Sequence, residues 1–296
     1  ILEIGSNDGY LSEQFLKKGH TIKGVDPSKF MCQLAQERGI NTYNNFFNTE
    51  TSKMIKEDYG LVDVILANNV FNHANDPLDF ALGVSNSLGD GGLFVFELPY
   101  LLFTIKDKKF DQIYHEHVTY FTVKYAYNLL KQCNLQIEKV DIVDYHGGSI
   151  RVFCRKVSHV QLKPSIASMI SKEEDLGLFE QSTYDRFMKN ITEDRNKLMI
   201  KLYNLKSIGR PIVGVGAAAK ANTFLNFHKI DNSVLDCITD ASEYKKGKYT
   251  PLTRIPIVGD EVFSEYNSVL ALILSWNITD ALKNKIKNIN DKVAFL

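Results

Sequence analysis

Short apolar runs rich in β-branched residues alternate with amphipathic stretches from the first residue of the chain onward. This alternation is typical of a parallel β-sheet with helices packed on both faces. In the first half of the chain the predicted strands are residues 1–4, 21–25, 61–67, 92–98, 136–144 and 149–155. Only a short glycine-containing turn separates the last two strands, and a turn of that length permits antiparallel pairing alone. The sequence therefore predicts an α/β fold, a doubly wound sheet that ends in an antiparallel hairpin.

A change of pattern divides the chain into two parts. Over residues 165–207 apolar positions such as Phe187 and Leu198 fall on one helical face among many charged residues, which predicts one long connecting helix. Because 296 residues exceed the usual size of one hydrophobic core, we expect two domains. The predicted strands of the second part are residues 211–215, 234–239, 269–275 and 292–296. The predicted division is a first domain at 1–158, a helical linker at 159–207 and a smaller Rossmann-like α/β domain at 208–296.

Charge and hydropathy argue against nucleic acid and membranes as binding partners. Lys and Arg together number 35, as do Asp and Glu, so no net charge attracts nucleic acid. No apolar run reaches the roughly 20 residues that cross a bilayer. We therefore expect a small-molecule partner, no nucleic acid and no membrane.

The cysteine spacing indicates the cellular compartment, and the first residues indicate whether the sequence is a whole protein. Cys32, Cys133, Cys154 and Cys237 lack the close spacing of zinc sites or disulfide frameworks, which indicates a reducing cytoplasm and no metal site. The chain begins inside an apolar run and without Met, so we expect it to be part of a longer protein.

Residues 2–11 (LEIGSNDGYL) predict a strand, a glycine-bearing turn and the start of a helix. Gly5 and Gly9 let the backbone pass close to a ligand, and the helix N-terminus offers free N–H groups. Asp26 follows at the end of the next strand, where a carboxylate can accept ribose hydroxyls. Both features also occur in nicotinamide-dependent enzymes, so they predict a cofactor that contains a nucleoside but do not identify it.

Three further details resemble the motif series of class I methyltransferases. They are Glu3 in the first strand, Asn68 and Asn69 at the end of a later strand, and LGDGG at residues 88–92. The resemblance implies S-adenosylmethionine as cofactor and S-adenosylhomocysteine as product. The predicted cofactor-binding residues are Glu3, Gly5, Ser6, Asn7, Gly9, Tyr10, Leu11, Asp26, Pro27, Asn68 and Asn69.

The densest group of titratable side chains is YHEH at residues 114–117. Two imidazoles, a carboxylate and a phenol at adjacent positions suit acid–base catalysis. One alternative is an exposed loop that is polar by chance. Another is a histidine metal site, which the spacing disfavours, because histidines two apart on a strand point to opposite sides and no third ligand lies near in sequence.

Four motifs occur in one order across nearly the whole chain: EIGSNDG at 3–9, YHEH at 114–117, HGGS at 146–149 and GAAAKANT at 216–223. Together they resemble the sugar-nucleotide C-methyltransferases of deoxysugar biosynthesis. That family usually carries an additional N-terminal cysteine-rich zinc domain, which this sequence lacks, so no zinc site is carried over. Ala221 stands where that family usually has glycine and Leu252 where glycine is common in it, whereas Asn7 replaces the middle glycine of the class I methyltransferase turn.

The resemblance implies chemistry at a carbon atom. A 4-keto group acidifies the neighbouring C-3 hydrogen, a base removes that proton, and the enolate carbon attacks the sulfonium methyl in line, without a metal. We expect His117 to be the base, Glu116 to hold or stabilise an imidazole, and Tyr114 to donate to the keto oxygen. The roles of Tyr114 and His117 are exchangeable on this evidence. His73 matches a functional histidine of the family, with a satisfied structural histidine as the alternative.

Substrate contacts are predicted at three places. The resemblance places the HGGS turn beside the sugar, although glycines are expected in a hairpin turn for conformational reasons alone. Small residues followed by Lys220 suit a diphosphate, and the alternative is close helix packing with a surface lysine. A nucleoside diphosphate sugar would then contact both domains. The predicted substrate-binding residues are His115, His146, Ser149, Gly216, Lys220 and Asn222.

Other functions fit parts of these patterns. An O- or N-methyltransferase of a small metabolite would share the cofactor site, and a non-catalytic sugar-nucleotide binding protein would share both nucleotide folds. A nicotinamide oxidoreductase would share the first turn and Asp26.

Overall fold

The computed structural model describes residues 1–145 and 147–296. The chain forms two compact units: unit 1 comprises Ile1–Phe103 and Glu116–Glu180, and unit 2 comprises Thr104–His115 and Gln181–Leu296. A segment from the middle of the sequence of unit 1 thus folds with unit 2.

Unit 1 is built on one seven-stranded sheet with the order β3-β2-β1-β4-β5-β7-β6. Its strands are β1 (Leu2–Ile4), β2 (Lys23–Val25), β3 (Thr42–Tyr43), β4 (Val62–Asn68), β5 (Leu88–Pro99), β6 (Leu135–Val143) and β7 (Ser149–Lys156). All neighbours pair in parallel except β7, which is antiparallel to both β5 and β6. The predicted doubly wound sheet with a terminal antiparallel hairpin is confirmed. The two-residue edge strand β3 is an addition to the prediction.

Helices cover both faces of this sheet, and polar side chains fix where several of them begin. The helices are α1 (Tyr10–Lys17), α2 (Lys29–Glu37), α3 (Thr49–Tyr59), α4 (Pro77–Ser87), α5 (Leu101–Lys106), α6 (Val123–Lys131) and α7 (Pro164–Asp175). Ser28, Asn48, Asp76 and Thr122 each accept a backbone N–H at the first turn of a helix, which satisfies a donor that the helix itself leaves unpaired.

An aromatic cluster lies beneath the carboxyl end of β4. The buried ring of Phe71 lies 4.5 Å from Phe80, 5.3 Å from Phe96 and 5.0 Å from Phe121, centroid to centroid. Phe71 begins the 3₁₀ turn Phe71–His73, so this packing fixes the backbone that carries His73.

The stretch predicted as one long helix is two helices, α7 and α8 (Gln181–Ser207), so that prediction is wrong. Gly177 adopts φ 66° just after α7, where its N–H donates to the carbonyl of Glu174, and a left-handed glycine there ends the helix. Each helix buries its apolar side in a different unit: α7 places Ile166 in the core of unit 1, and α8 places Leu202 in the core of unit 2.

A fully buried carboxylate on α7 joins three parts of unit 1. Glu173 accepts the Tyr100 hydroxyl at 2.7 Å, the Val123 N–H at 2.5 Å and the Lys124 N–H at 3.0 Å. The last two donors are the first residues of α6, so a side chain from α7 caps α6. Burial, together with this hydrogen bond, raises the pKa of Tyr100, which keeps the phenol a donor.

Unit 2 contains a five-stranded parallel sheet with the order β10-β9-β8-β11-β12. Its strands are β8 (Ile212–Val215), β9 (Cys237–Thr239), β10 (Ile257–Val258), β11 (Leu270–Ile273) and β12 (Ala294–Phe295), and its helices are α8, α9 (Ala219–His228) and α10 (Thr279–Ile289). The predicted second, smaller α/β sheet is confirmed, with β10 as an additional edge strand. Among the described residues, no helix combines the length and the apolar character needed to span a membrane.

Candidate active site

A cavity of about 320 Å³ opens in unit 1 at the carboxyl ends of β1, β2 and β4. Ligands of open α/β sheets bind at these ends, where the loops diverge. Three residues singled out from the sequence line it, namely Gly5, Pro27 and His73. The full lining is Ile4, Gly5, Val25, Pro27, Asn45, Phe46, Phe47, Asn48, Val70, His73, Ala74, Asn75, Asp76, Asp79 and Phe80.

Sequence reasoning missed the loop after β3, which supplies Asn45, Phe46, Phe47 and Asn48 to the cavity. Its signal is weak, because β3 is only two residues long and is set by pairing with β2. The exposed ring of Phe46, at 77% accessibility, is the clearest trace of a ligand-facing role in this loop.

The turn after β1 adopts the backbone that its residues suggested. Gly5, Asn7 and Gly9 all have positive φ, at 69°, 51° and 77°. Asn tolerates the left-handed region better than other side chains, and the Asn7 Oδ1 accepts the Asp8 N–H at 2.9 Å. The replacement of the usual glycine by Asn7 therefore keeps the turn intact.

Asp26 joins this turn to the loop after β2. Its carboxylate is 8% exposed, and its two oxygens accept the Asn7 N–H at 3.0 Å and the Ser28 N–H at 2.9 Å. Each oxygen keeps a further lone pair for a donor such as a ribose hydroxyl.

Three buried polar groups lie among the predicted cofactor residues. Glu3 is 6% exposed and accepts a short hydrogen bond from the Ser12 hydroxyl. Within the described part of the chain, the Ser6 hydroxyl and the Asn69 side-chain oxygen are buried without a hydrogen-bond partner. Buried polar atoms normally have partners, so these two are exceptions, and neither residue lines the cavity. The other predicted members, Tyr10, Leu11 and Asn68, lie in α1 and at the end of β4.

Replacing Glu3 with glutamine is expected to stabilise the protein above pH 7 by about 3 kcal/mol. Burial raises the pKa of Glu3 to about 7, whereas the unfolded value is 4.5. The native state therefore holds this proton more tightly, so stability from the group is full below pH 4.5 and is lost as the pH rises through 7.

Urea unfolding of wild type and Glu3→Gln at pH 4.5 and pH 8 measures this difference, with Glu37→Gln, an exposed carboxylate at the end of α2, as control. The two curves should coincide at pH 4.5 and separate at pH 8. A parallel pH dependence in both proteins would contradict the assignment.

Replacing Gly5 with alanine is expected to weaken S-adenosylmethionine binding at least about tenfold, a loss of about 1.4 kcal/mol. A Cβ at this position would lie 2.9 Å from Val70 Cγ2, and φ is positive, so the turn has to shift into the cavity. Gly19→Ala is the matched control, because its φ of 84° imposes similar strain while nothing lies within 4 Å of its Cβ. Calorimetric titration of both variants checks the prediction, and equal affinities would refute it.

The structure brings three of the predicted catalytic residues together in unit 1. The carbonyl of Asn72 accepts the N–H groups of Val118 and Thr119 at 3.0 and 3.1 Å. This places the rings of His73 and His117 5.3 Å apart, centroid to centroid, and inclined by 33°. Partial desolvation lowers the pKa of His73, and the nearby charge of Glu116 opposes that effect. The arrangement combines an imidazole that is neutral near pH 7 with a second imidazole and a carboxylate.

The remaining members of the YHEH cluster belong to the other unit. Tyr114 and His115 end the segment Thr104–His115 of unit 2, and their rings lie 6.0 Å apart, edge to face. The boundary between the units therefore falls within the cluster in sequence.

Contacts within the hairpin turn explain two of its residues, Gly148 and Ser149. His146 lies outside the described residues. Gly148 has φ 113°, and a Cβ there would lie 2.6 Å from the Phe103 ring. The Ser149 hydroxyl is buried and donates to the Tyr145 carbonyl at 3.0 Å. Ser149 therefore stabilises the turn, and its contact with the sugar stays a prediction.

The turn after β8 repeats the hydrogen bonds found after β1. The Gly216 N–H donates to the Thr239 carbonyl at 2.8 Å, as the Gly5 N–H does to the Val25 carbonyl. The two oxygens of Asp240 accept the N–H groups of Ala217 and Ser242, both at 2.9 Å, as Asp26 accepts its two donors. The two units thus share one strand–turn–carboxylate arrangement.

The Lys220 ammonium, in the first turn of α9, is already engaged within unit 2. Its Nζ donates to the Asn277 side-chain oxygen and lies 4.3 Å from the centroid of the Trp276 ring. Asn222 lies on the first turns of α9, where its carbonyl accepts the Asn226 amide at 2.8 Å. The predicted phosphate contacts therefore lie close together along one turn and helix.

Each half of the chain matches a methyltransferase family description. Residues 144–295 match a family described as "C-methyltransferase C-terminal domain", and residues 1–140 match one described as "Methyltransferase domain". The chain is 31% identical to C-methyltransferase NovU of Streptomyces niveus over 278 residues, which is 94% of this chain and 66% of that protein. A ubiquinone biosynthesis O-methyltransferase of Caulobacter sp. (strain K31) is 30% identical over 99 residues, 32% of this chain and 38% of that protein.

Among solved structures, a SAM dependent methyltransferase from Archaeoglobus fulgidus covers 52% of this chain and 85% of its own, with 14% identity and a TM-score of 0.43. The chain spans just under two thirds of NovU and less than half of the Caulobacter protein. Since the C-methyltransferase description matches more than half of its length, the chain belongs to the C-methyltransferase family.

Proposed function

We propose that this protein transfers a methyl group from S-adenosylmethionine to a carbon atom of a nucleoside-diphosphate 4-ketosugar, at C-3, in deoxysugar biosynthesis. The observation that carries the proposal is the approach of His73 and His117 beside Glu116, next to a cavity at the carboxyl ends of β1, β2 and β4. Membership of the C-methyltransferase family supports it independently.

The first unit provides groups suited to a nucleoside cofactor. Asp26 is held by two backbone N–H groups with lone pairs to spare for ribose hydroxyls, and Gly5 and Pro27 line the cavity. Glu3, Ser6 and Asn69 keep their predicted role toward the cofactor, although none of the three lines the cavity. When bound, S-adenosylmethionine supplies an electrophilic methyl group on a positively charged sulfur.

The reaction requires a neutral base beside the sugar carbon. We assign this role to His117, whose ring nitrogen takes the proton from C-3 while the electron pair moves into the enolate. The carboxylate of Glu116 then stabilises the imidazolium. The exposed His73 has a pKa that partial desolvation lowers, so its imidazole is neutral near pH 7 and can relay that proton but not hold it. Tyr114 keeps its predicted role as donor to the enolate oxygen.

Methyl transfer then needs only alignment. The carbon–carbon bond forms as the sulfur–carbon bond breaks, and the electrons of that bond stay on sulfur, which leaves S-adenosylhomocysteine uncharged at sulfur. Fixed loops around the cavity, tied by Asp26 and by the carbonyl of Asn72, supply that alignment.

Isotope exchange tests the carbon chemistry directly. Incubated in D₂O with a panel of 4-ketosugar nucleotides and no methyl donor, the protein should introduce one deuterium at C-3 of its substrate. With S-adenosylmethionine the same sugar should gain a methyl group on carbon, as shown by mass spectrometry and NMR. Absence of exchange in every ketosugar, or a methyl group on oxygen, would refute the proposal in favour of an O-methyltransferase.

A further inference from the structure

The segment Thr104–His115 is held on unit 2 by an apolar contact. The Phe110 ring lies 4.5 Å from the Phe227 ring of α9, centroid to centroid. Aromatic pairs of this kind contribute about 0.5–1.5 kcal/mol beyond the area that they bury.

Asp111 adds a directional contact. Its side chain is 3% exposed, and Oδ2 accepts the indole N–H of Trp276 at 2.5 Å. The Lys220 ammonium lies over the face of the same indole at 4.3 Å. A carboxylate that accepts the N–H increases the electron density of the ring, which strengthens its attraction for the ammonium. The three side chains therefore form one coupled group.

The charges in this group depend on one another. Burial raises the pKa of Asp111, and the Trp276 hydrogen bond and the Lys220 charge oppose it. Burial also lowers the pKa of Lys220, and the charge of Asp111 opposes that effect. A further cation, Lys109, lies 5.8 Å from the Trp276 centroid and pairs with Asp107 at 2.6 Å. Because Asp111 is buried, its loss leaves the Lys220 charge uncompensated, whereas the Asp107 side chain is 41% exposed and its loss is screened by water.

We propose that Asp111 is a positioning residue: through the Trp276 indole it fixes the segment that carries Tyr114 and His115 to the helix that carries Lys220. A phosphate that engages Lys220 acts on the same indole, so ligand binding at Lys220 and the placement of Tyr114 are coupled. The inference rests on the proposed function only for the part that Tyr114 plays in turnover.

The contact itself can be observed without turnover. Trp276 is the only tryptophan in the 296-residue sequence, so this chain gives one indole N–H resonance. This resonance should move upfield in Asp111→Asn, because a neutral acceptor is weaker, and should stay in place in the control Asp107→Asn. In Asp111→Ala and Trp276→Phe, deuterium exchange over residues 104–115 should rise by about tenfold, with little change over 117–130. Unchanged exchange in both variants would overturn the proposal.

Turnover separates a positioning role from a merely structural one. Asp111→Ala should lower kcat by about 10- to 100-fold without changing the Kd of S-adenosylmethionine, and Asp111→Asn should recover part of the loss. Asp107→Asn should match wild type. Faster exchange with wild-type kcat would also overturn the proposal. If the wild-type protein methylates no ketosugar, the proposed function fails, and the resonance and exchange results alone decide the inference.

Discussion

Replacing Glu173 with alanine is expected to lower the free energy of unfolding of unit 1 by about 3–5 kcal/mol, because each buried donor left without an acceptor costs about 1–3 kcal/mol. The carboxylate accepts the Tyr100 hydroxyl and the N–H groups of Val123 and Lys124, and these two N–H groups begin α6, where the helix itself offers no acceptor. Glu173→Gln keeps one acceptor oxygen and should fall between the alanine variant and wild type.

The neighbouring Glu174 provides a matched control. It pairs with Lys124 at 2.6 Å at the surface, with side chains 49% and 38% exposed, so Glu174→Ala should cost less than about 1 kcal/mol. Urea unfolding followed by far-ultraviolet circular dichroism reports both units, whereas Trp276 fluorescence reports unit 2 alone. The transition of unit 1 should shift and that of unit 2 should not. A Glu173→Ala curve that overlays Glu174→Ala would show that water or another group replaces the carboxylate.

Replacing His117 with alanine is expected to lower kcat by about 10²- to 10⁴-fold, which is the usual contribution of a positioned general base. His117 lies beside His73 and does not line the cofactor cavity, so the affinity for S-adenosylmethionine should stay at the wild-type value. Loss of deuterium exchange at C-3 should parallel the loss of methyl transfer, because both require the same proton removal.

His159→Ala is the control for this experiment, since that imidazole is exposed between β7 and α7 of unit 1. Its kcat should equal that of wild type. Wild-type exchange in His117→Ala combined with lost exchange in His73→Ala would move the role of base to His73. Wild-type methyl transfer and wild-type deuterium exchange in His117→Ala would show that the His117 imidazole takes no part in the reaction.

Much of the fold follows from local sequence. The four parallel strands β1, β2, β4 and β5 and the hairpin depend on apolar runs and on a turn too short for a crossover, which are visible without a structure. The edge strands β3 and β10 are different, because each has two residues and exists through pairing with its neighbour. The break at Gly177 had a signal in the glycine itself, but the amphipathic pattern on either side of it dominated the prediction.

Some residues of the candidate site could likewise be predicted from the sequence, and others could not. Gly5 and Asp26 were found because parallel strands align their carboxyl ends, which turns sequence spacing into proximity, whereas His73 was found through the resemblance to a known family. The loop of Asn45 and Phe46 follows an unpredictable strand and was missed. Assignment of Tyr114 and Glu116 to different units depends on long-range contacts such as that of Asp111 with Trp276, which no local pattern encodes.

The segment Thr104–His115 also limits how the protein can be divided. A fragment ended at Glu180 would carry the Phe110 ring and the Asp111 carboxylate without the groups that cover them in the whole chain. Exposed aromatic surface favours aggregation of such a fragment. The complementary fragment from Gln181 would lose the same partners, so mixing the two pieces should restore solubility that neither has alone.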